Sequence, residues 1–267
     1  MRHVDTYFLD DFPSSRVFDV FEPEKITRDT VVFFVHGGGW TGGSRSTFYP
    51  VISELNKLGY LCASTDYRLV SSGVNNTVTA FDQLADIRES YMEFMELAGK
   101  KIDSPRAVVF GSSAGAHLAS LLVTAMPGEC GEKVISQKPW PKPVAGIFQS
   151  TPASFEPWED IFPAVWASMQ LAVGAKYDDA PASFRALSLN HYIRKENPPM
   201  LFLEAANEHM FPSEMTLEFV KQHREWGIDS RWHKIDTAEH GFLYAVTRRP
   251  QKEALQLMVE FLKDMEK

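Results

Sequence analysis

Apolar residues fall along this chain in two rhythms. At 31–35 they run without a break, Val31-Val32-Phe33-Phe34-Val35, the pattern of a strand buried on both faces. Comparable runs at 60–65, 107–110, 144–148, 200–204 and 230–235 predict further strands. Between them the apolar positions recur at helical spacing. Residues 49–58 (Val51, Ile52, Leu55, Leu58) predict a helix stopped at Gly59. Residues 79–98 predict a longer one, with Phe81, Leu84, Ile87, Tyr91, Phe94 and Met95 turned inward. Residues 116–122, 214–226 and 251–265 predict three more. Residues 16–21 alternate and read as an edge strand ended by Pro23; the mixed stretch before it is assigned to no element. Strands that alternate with helices imply a mostly parallel central sheet with helices on both faces, an α/β fold.

Two stretches break the rhythm. Residues 127–143 are rich in proline and glycine and read as a loop. Residues 151–190 carry Pro152, Phe155, Pro157, Trp158, Phe162, Pro163, Trp166 and Met169, and read as an insertion with one or two short helices. No repeat, low-complexity tract or long linker divides the chain. Residues 1–267 are therefore expected to form a single domain, with 151–190 as a lid or pocket insertion.

Composition narrows the setting. The chain is long enough for a sizeable core. A formal net charge of −8 and a pI near 5.5 weigh against nucleic-acid or anionic-membrane partners. Cys62 sits in an apolar run and Cys130 is the only other cysteine, so no disulfide framework is expected and a reducing, cytoplasmic setting is. The start, Met1-Arg2-His3-Val4-Asp5-Thr6, has no apolar signal core, and no apolar run approaches the ~18 residues of a membrane span. Self-association into a homodimer is left open.

The chemistry centres on Val108-Val109-Phe110-Gly111-Ser112-Ser113-Ala114-Gly115-Ala116-His117-Leu118. A strand runs into a Gly-Ser-Ser-Ala-Gly turn and straight into a helix, placing Ser113 at the apex. A serine hydroxyl needs a base to take its proton and donors to hold the oxyanion formed on a carbonyl. For donors, His36-Gly37-Gly38-Gly39-Trp40 follows a buried strand, and Gly38 and Gly39 are the candidates, with the amide of Ala114. A phosphate loop would need G-x-G-x-x-G or G-K-[ST], and neither is present. Of the eight histidines, His240 follows the last strand in Ala238-Glu239-His240-Gly241-Phe242 and is the candidate base. His36 is expected to order the glycine loop and His117 to pack. In the order Ser…Asp/Glu…His the acid lies between 113 and 240. Glu208, with room to meet the His240 ring, is preferred over Glu204 at the strand end and over Asp236. No metal or organic cofactor is implied.

With these residues placed, the chain resembles the α/β-hydrolase superfamily, and within it the small carboxylesterases of the hormone-sensitive-lipase and acetyl-esterase group. The resemblance rests on His36-Gly37-Gly38-Gly39-Trp40, Asp66-Tyr67-Arg68-Leu69, residues 111–119, Pro198-Pro199 and His240-Gly241-Phe242. Relatives carry the acid in a G-x-x-D loop; its aspartate falls on Glu208, with Ala205 in place of the glycine. Ser112 stands where that group has aspartate. The group's long N-terminal cap helices are absent from the reading, which brings the chain closer to compact acetyl, feruloyl or xylan-type esterases and kynurenine formamidases. The resemblance implies an α/β-hydrolase fold and hydrolysis of small-molecule esters of short acyl or small aromatic acids through an acyl-serine. Trp158, Phe162, Trp166 and Met169 are candidates to line an apolar pocket. The rival readings are an arylformamidase-type amidase with the same residues and a non-catalytic small-ligand-binding protein.

Overall fold

The computed structural model describes residues 3–11, 15–71, 77–134 and 136–266. The strands are β1 (His3–Phe8), β2 (Val17–Glu22), β3 (Thr30–Val35), β4 (Leu61–Thr65), β5 (Arg106–Ser112), β6 (Ala145–Gln149), β7 (Met200–Asn207) and β8 (Arg231–Glu239). They form one sheet in the order β1-β2-β4-β3-β5-β6-β7-β8. β2 runs antiparallel to both its neighbours, and from β4 to β8 every pairing is parallel. Alternation inside the apolar runs feeds two cores. Val31, Phe33 and Val35 of β3 belong to one, Val32 and Phe34 to the other. A strand covered on both sides must be apolar at every position, which is why the run at 31–35 has no polar break.

The helices are α1 (Tyr49–Lys57), α2 (Ala80–Gly99), α3 (Ala114–Thr124), α4 (Pro163–Val173), α5 (Pro181–Ala186), α6 (Ser213–Glu225) and α7 (Arg249–Asp264). α1 and α7 cover one face through Val51, Ile52, Leu55, Met258 and Phe261. α2, α3, α4 and α6 share the other core. α2 begins at a capping box, the Thr79 amide donating to Asp82 at 2.8 Å. Among the described residues no helix is long and apolar enough to cross a membrane.

The structure corrects the reading of the first strands. Residues 16–21 are not at the sheet edge, because β1 pairs outside β2 from His3↔Glu22 to Phe8↔Val17. β1 escaped notice because Val4 and Phe8 are exposed and Asp5 and Thr6 are polar, so no buried stripe marks it. Its fixed partner contact is Tyr7 stacked on Phe18 at 5.2 Å. Irregular chain follows the prediction at 127–143, with residue 135 outside the described residues.

Candidate active site

Ser113 sits between the last residue of β5 and the first of α3, with φ 54° and ψ −124°. A non-glycine residue in this region costs of order 1–3 kcal/mol and persists only where its surroundings enforce it. Here the Ser113 amide donates to the Gln149 carbonyl at 2.9 Å, and its carbonyl accepts the His117 amide at 3.0 Å. The flanking glycines are steric necessities. A methyl at Gly115 would overlap the carbonyls of Val35 and His36, and one at Gly111 would overlap Gly115 itself. Ala114 is the first residue of α3, so its amide is one of the four that a helix leaves without an internal partner.

β7 and β8 bring the other two residues together by register. Ala205 pairs with Ile235, and the next pair is Asn207 with Glu239, so β8 holds two more residues than β7 over this step. Thr237, at φ 60°, takes up the excess. Glu208 and His240 each follow the Asn207–Glu239 pair and therefore emerge side by side. His240 Nδ1 lies 2.7 Å from Glu208 Oε2, and His240 Nε2 lies 2.7 Å from Ser113 Oγ. A carboxylate only accepts, so Nδ1 carries the hydrogen and Nε2 is free to accept from the serine hydroxyl. Burial pushes the Glu208 carboxyl up, but the hydrogen bond and charge of His240, with the amides of Met210 and Phe211, outweigh it and leave it below the ordinary carboxylate value.

The competing acids are elsewhere. Glu204 is buried beneath the loop and bonded to Thr216 at 2.9 Å. Asp236 is exposed on the irregular part of β8. Both strands run further than their apolar runs predict, β7 to Asn207 and β8 to Glu239, because their last residues are half-buried or exposed at the rim of the sheet.

The glycine loop leaves β3 beside this chain of hydrogen bonds. The Gly38 carbonyl accepts the amides of Thr41 and Gly42 at 3.2 and 3.0 Å, closing a turn in which Gly38 itself has φ 125°. Gly37, Gly38 and Gly39 face the same cavity as Ser113 and His240. His36 orders the loop as expected: its Nδ1 donates to the Gly37 carbonyl at 2.8 Å and its ring stacks on Tyr67 at 4.3 Å. The tether beneath it was not read from the sequence. Tyr67 donates its hydroxyl to the His36 carbonyl at 2.8 Å, and Asp66 takes the backbone amide of Arg45 at 2.6 Å and pairs with its guanidinium. The Asp66-Tyr67-Arg68 motif was the visible signal. His117 packs, as expected, but also bridges: Trp40 Nε1 donates to its Nδ1 at 3.3 Å, and its Nε2 donates to the Leu187 carbonyl at 2.7 Å. That links the glycine loop to the 151–190 segment.

The cavity above Ser113 has a volume of about 540 Å³. Its walls include Trp40, Phe48, Phe162, Val165, Phe211 and Tyr244, and among the described residues His240 and Tyr244 are the titratable side chains that line it. Of the four aromatic and sulfur side chains predicted to line a pocket, Phe162 does. Met169 is instead fully buried in the core, Trp158 packs on Phe211, and Trp166 packs on Tyr177 and Phe184. α4 is apolar around most of its circumference, and Ala164, Val165 and Ser168 are the residues it turns to the cavity. Among the described residues no group of three His, Cys, Asp or Glu side chains is gathered to hold a metal ion.

The BD-FAE family pattern matches residues 18–222. The chain belongs to the BD-FAE family. The matched span holds Gly38, Gly39, Ser113, Ala114 and Glu208, while His240 lies beyond it. Two curated relatives come from Mycobacterium tuberculosis. Esterase LipQ is 27% identical over 238 residues, 85% of this chain and 53% of that protein. Esterase LipC is 28% identical over 223 residues, 79% of this chain and 53% of that protein. The chain thus spans about half the length of the curated relatives it matches. Esterase 2 of Thermogutta terrifontis, phosphonylated by sarin, superposes with a TM-score of 0.75 at 24% identity over 93% of this chain and 90% of that one. Its butyrate-bound form gives 0.73 at 24% identity over 93% and 89%. The BD-FAE chain described here therefore has the α/β-hydrolase fold.

Proposed function

We propose that this BD-FAE protein is a serine hydrolase that cleaves carboxylic esters of short acyl or small aromatic acids through an acyl-serine intermediate. The observation that carries the reading is the unbroken chain Glu208–His240–Ser113, with both links at 2.7 Å, opening into an apolar cavity beside a glycine loop. Ser113 Oγ attacks the ester carbonyl as His240 Nε2 takes its proton. Glu208 holds the other ring nitrogen and stabilises the imidazolium without taking a proton itself. The carbonyl oxygen becomes an anion, held by the amides of Gly38, Gly39 and Ala114. Collapse of the tetrahedral species breaks the ester C–O bond, and His240 returns the proton to the leaving alkoxide. Water, deprotonated by His240, then attacks the acyl-serine and releases the acid.

The cavity supports the substrate class. Among the described residues it offers no ammonium or guanidinium to a charged acid, and its walls suit a neutral acyl or aryl group. The similar proteins point the same way: they are named as esterases, and one of them holds a bound butyrate. Residues 151–190 would serve as the cover, with Phe162 and Val165 forming part of the wall. The test is p-nitrophenyl acetate hydrolysis by wild type and Ser113→Ala. The variant should lose at least about a thousandfold in kcat/KM. Equal rates would overturn the reading. An N-formyl aryl amide in the same panel separates ester from amide preference.

A further inference from the structure

His117 is a buried side chain that the proposed reaction does not touch. It lies on α3, one turn beyond Ser113, and is fully enclosed. Its amide donates to the Ser113 carbonyl at 3.0 Å, so its backbone belongs to the same first turn as Ser113 and Ala114. Its ring reaches out of that helix in three directions. Trp40 Nε1, at the end of the glycine loop, lies 3.3 Å from His117 Nδ1. The carbonyl of Leu187, just beyond α5, lies 2.7 Å from His117 Nε2. The Phe155 ring stacks on the imidazole, with centroids 4.2 Å apart and planes at 24°.

The two partners fix the state of the ring. An indole N–H can only donate and a carbonyl can only accept. Both bonds form together only in the neutral imidazole that carries its hydrogen on Nε2. Burial favours the same form, lowering the ring to about 4 against the pull of the Leu187 carbonyl. A second hydrogen on Nδ1 would face the indole N–H, donor against donor. One ring therefore serves the glycine loop at one nitrogen and the 151–190 segment at the other.

Trp40 is where this contact acquires a consequence. It follows Gly39 directly, and its φ of 63° is a left-handed conformation that a bulky residue keeps only where its surroundings enforce it. The backbone is enforced by the Val70 amide and Gln83 Nε2, which donate to the Trp40 carbonyl at 3.0 and 2.7 Å. The side chain is enforced by His117 and by Phe155, set edge-on to the indole at 5.1 Å. The donors assigned to the oxyanion come from two elements, Gly38 and Gly39 on the loop and Ala114 on α3. To meet on one oxygen they must be held to within about 0.5 Å. The His117–Trp40 bond runs from the first turn of α3 to the residue next to Gly39, and so joins the two elements close to the donors themselves.

We propose that His117 is a positioning residue that sets the spacing between the two halves of the oxyanion hole, the Gly38–Gly39 amides and the Ala114 amide, through its bond to Trp40. The proposal rests on the reading of Ser113 as nucleophile and of those amides as donors. The Leu187 bond and the Phe155 stack hold the same ring from the 151–190 cover, so cover and oxyanion hole share one support. His117 does not line the cavity, and the Glu208–His240–Ser113 chain does not pass through it. Losing the Trp40 bond therefore weakens the hold on the charge that develops in the transition state and leaves the bound ester alone. The effect falls on kcat and leaves KM nearly unchanged.

The experiment compares wild type, Trp40→Phe, His117→Phe, His117→Asn and the Trp40→Phe/His117→Phe double variant, with the fold checked by circular dichroism. The readouts are kcat and KM for p-nitrophenyl acetate and the inhibition constant of an alkyl trifluoromethyl ketone. Ser113 Oγ adds to that ketone, His240 takes the proton, and the carbonyl oxygen becomes an anion in the oxyanion hole. Trp40→Phe keeps a ring and removes the indole N–H. His117→Phe keeps a ring against Phe155 and removes both nitrogens. Each should lower kcat about tenfold, weaken the ketone by about the same factor and leave KM within about threefold. Both remove one bond, so the double variant should lose no more than the worse single variant. His117→Asn sets an acceptor near the place of Nδ1 but does not reach Leu187, and should recover kcat to within about threefold of wild type. Losses that multiply in the double variant would overturn the proposal, as would a loss carried by KM with kcat unchanged, or a His117→Asn as impaired as His117→Phe. Where His117→Phe does not fold, Trp40→Phe decides: a kcat and ketone affinity equal to wild type would overturn the proposal. Failure of the serine-hydrolase reading shows instead as activity in Ser113→Ala, whatever His117 does.

Discussion

At the scale of single residues, the site depends on what side chains are missing as much as on those present. Gly115 lets α3 start against the backbone where β3 ends, and a methyl there meets the carbonyl oxygens of Val35, the last residue of β3, and of His36 just beyond it. Backbone cannot move aside as a flexible side chain can. Gly115→Ala is expected to lower stability by about 3 kcal/mol. An unchanged urea midpoint would show that the turn is looser than its geometry. Glu208 is sensitive for a different reason. Its carboxylate holds Nδ1–H of His240, and an amide in its place permits the tautomer that presents N–H to Ser113. Glu208→Gln should lower kcat by about 10³- to 10⁴-fold with little change in KM. A larger loss in Glu204→Gln than in Glu208→Gln would exchange the two assignments.

At the scale of elements, what could be read from the chain is what burial writes into it. β3 and β5 are apolar at nearly every position because both faces are covered, and Ser113 is marked by glycines that sterics require. β1 leaves no such trace, since its edge position asks for no apolar face. The ends of β7 and β8 were also hidden. Their pairing of Asn207 with Glu239 depends on an irregular step at 236–238 that no local pattern announces, although that step sets Glu208 beside His240. α4 was misread for the opposite reason: too many apolar residues left no stripe to say which side faces the cavity. The residues it and its neighbours leave exposed are informative in turn. Phe162, Met210 and Tyr244 are 56%, 42% and 49% exposed, come from three separate segments, and all line the cavity. An acetyl ester of a small alcohol would leave this rim uncovered. Phe162→Ala and Tyr244→Ala should raise KM several-fold for p-nitrophenyl butyrate and less for the acetate. Equal effects on both esters would assign the rim no part in binding.

At the scale of the whole molecule, buried titratable groups set how stability depends on pH. His117 and His223 are held neutral, burial lowering each to about 4, with the Leu187 carbonyl partly opposing it at His117. Burial also lowers His36, against the opposing pull of the Gly37 carbonyl and Asp66. Unfolded, all three take up a proton near pH 6.5. Below that value the unfolded chain binds more protons on histidine, so stability falls as the pH drops. Glu204 works in the other direction. It keeps a proton in the fold up to about pH 8 and loses it near 4.3 when unfolded. Its contribution is complete below the unfolded value and is lost as the pH rises toward 8. Between about pH 4.5 and 6.5 the two protons on unfolded His117 and His223 oppose one on folded Glu204, leaving a net one, or roughly 1.4 kcal/mol per pH unit, to which His36 adds in the same direction. Between 6.5 and 8 Glu204 gives a slope of the opposite sign and similar size. Half-buried His233, lowered by desolvation and the charges of Arg231 and Arg224, adds to the acid side. Stability should therefore peak near pH 6.5, measured as the urea midpoint at half-unit intervals from pH 4.5 to 8. Glu204→Gln should flatten the neutral-to-alkaline decline, and His223→Gln should make the acid decline shallower by about one proton. A midpoint that rises steadily to pH 8 would contradict both, and would mean that Glu204 is ionised in the folded protein.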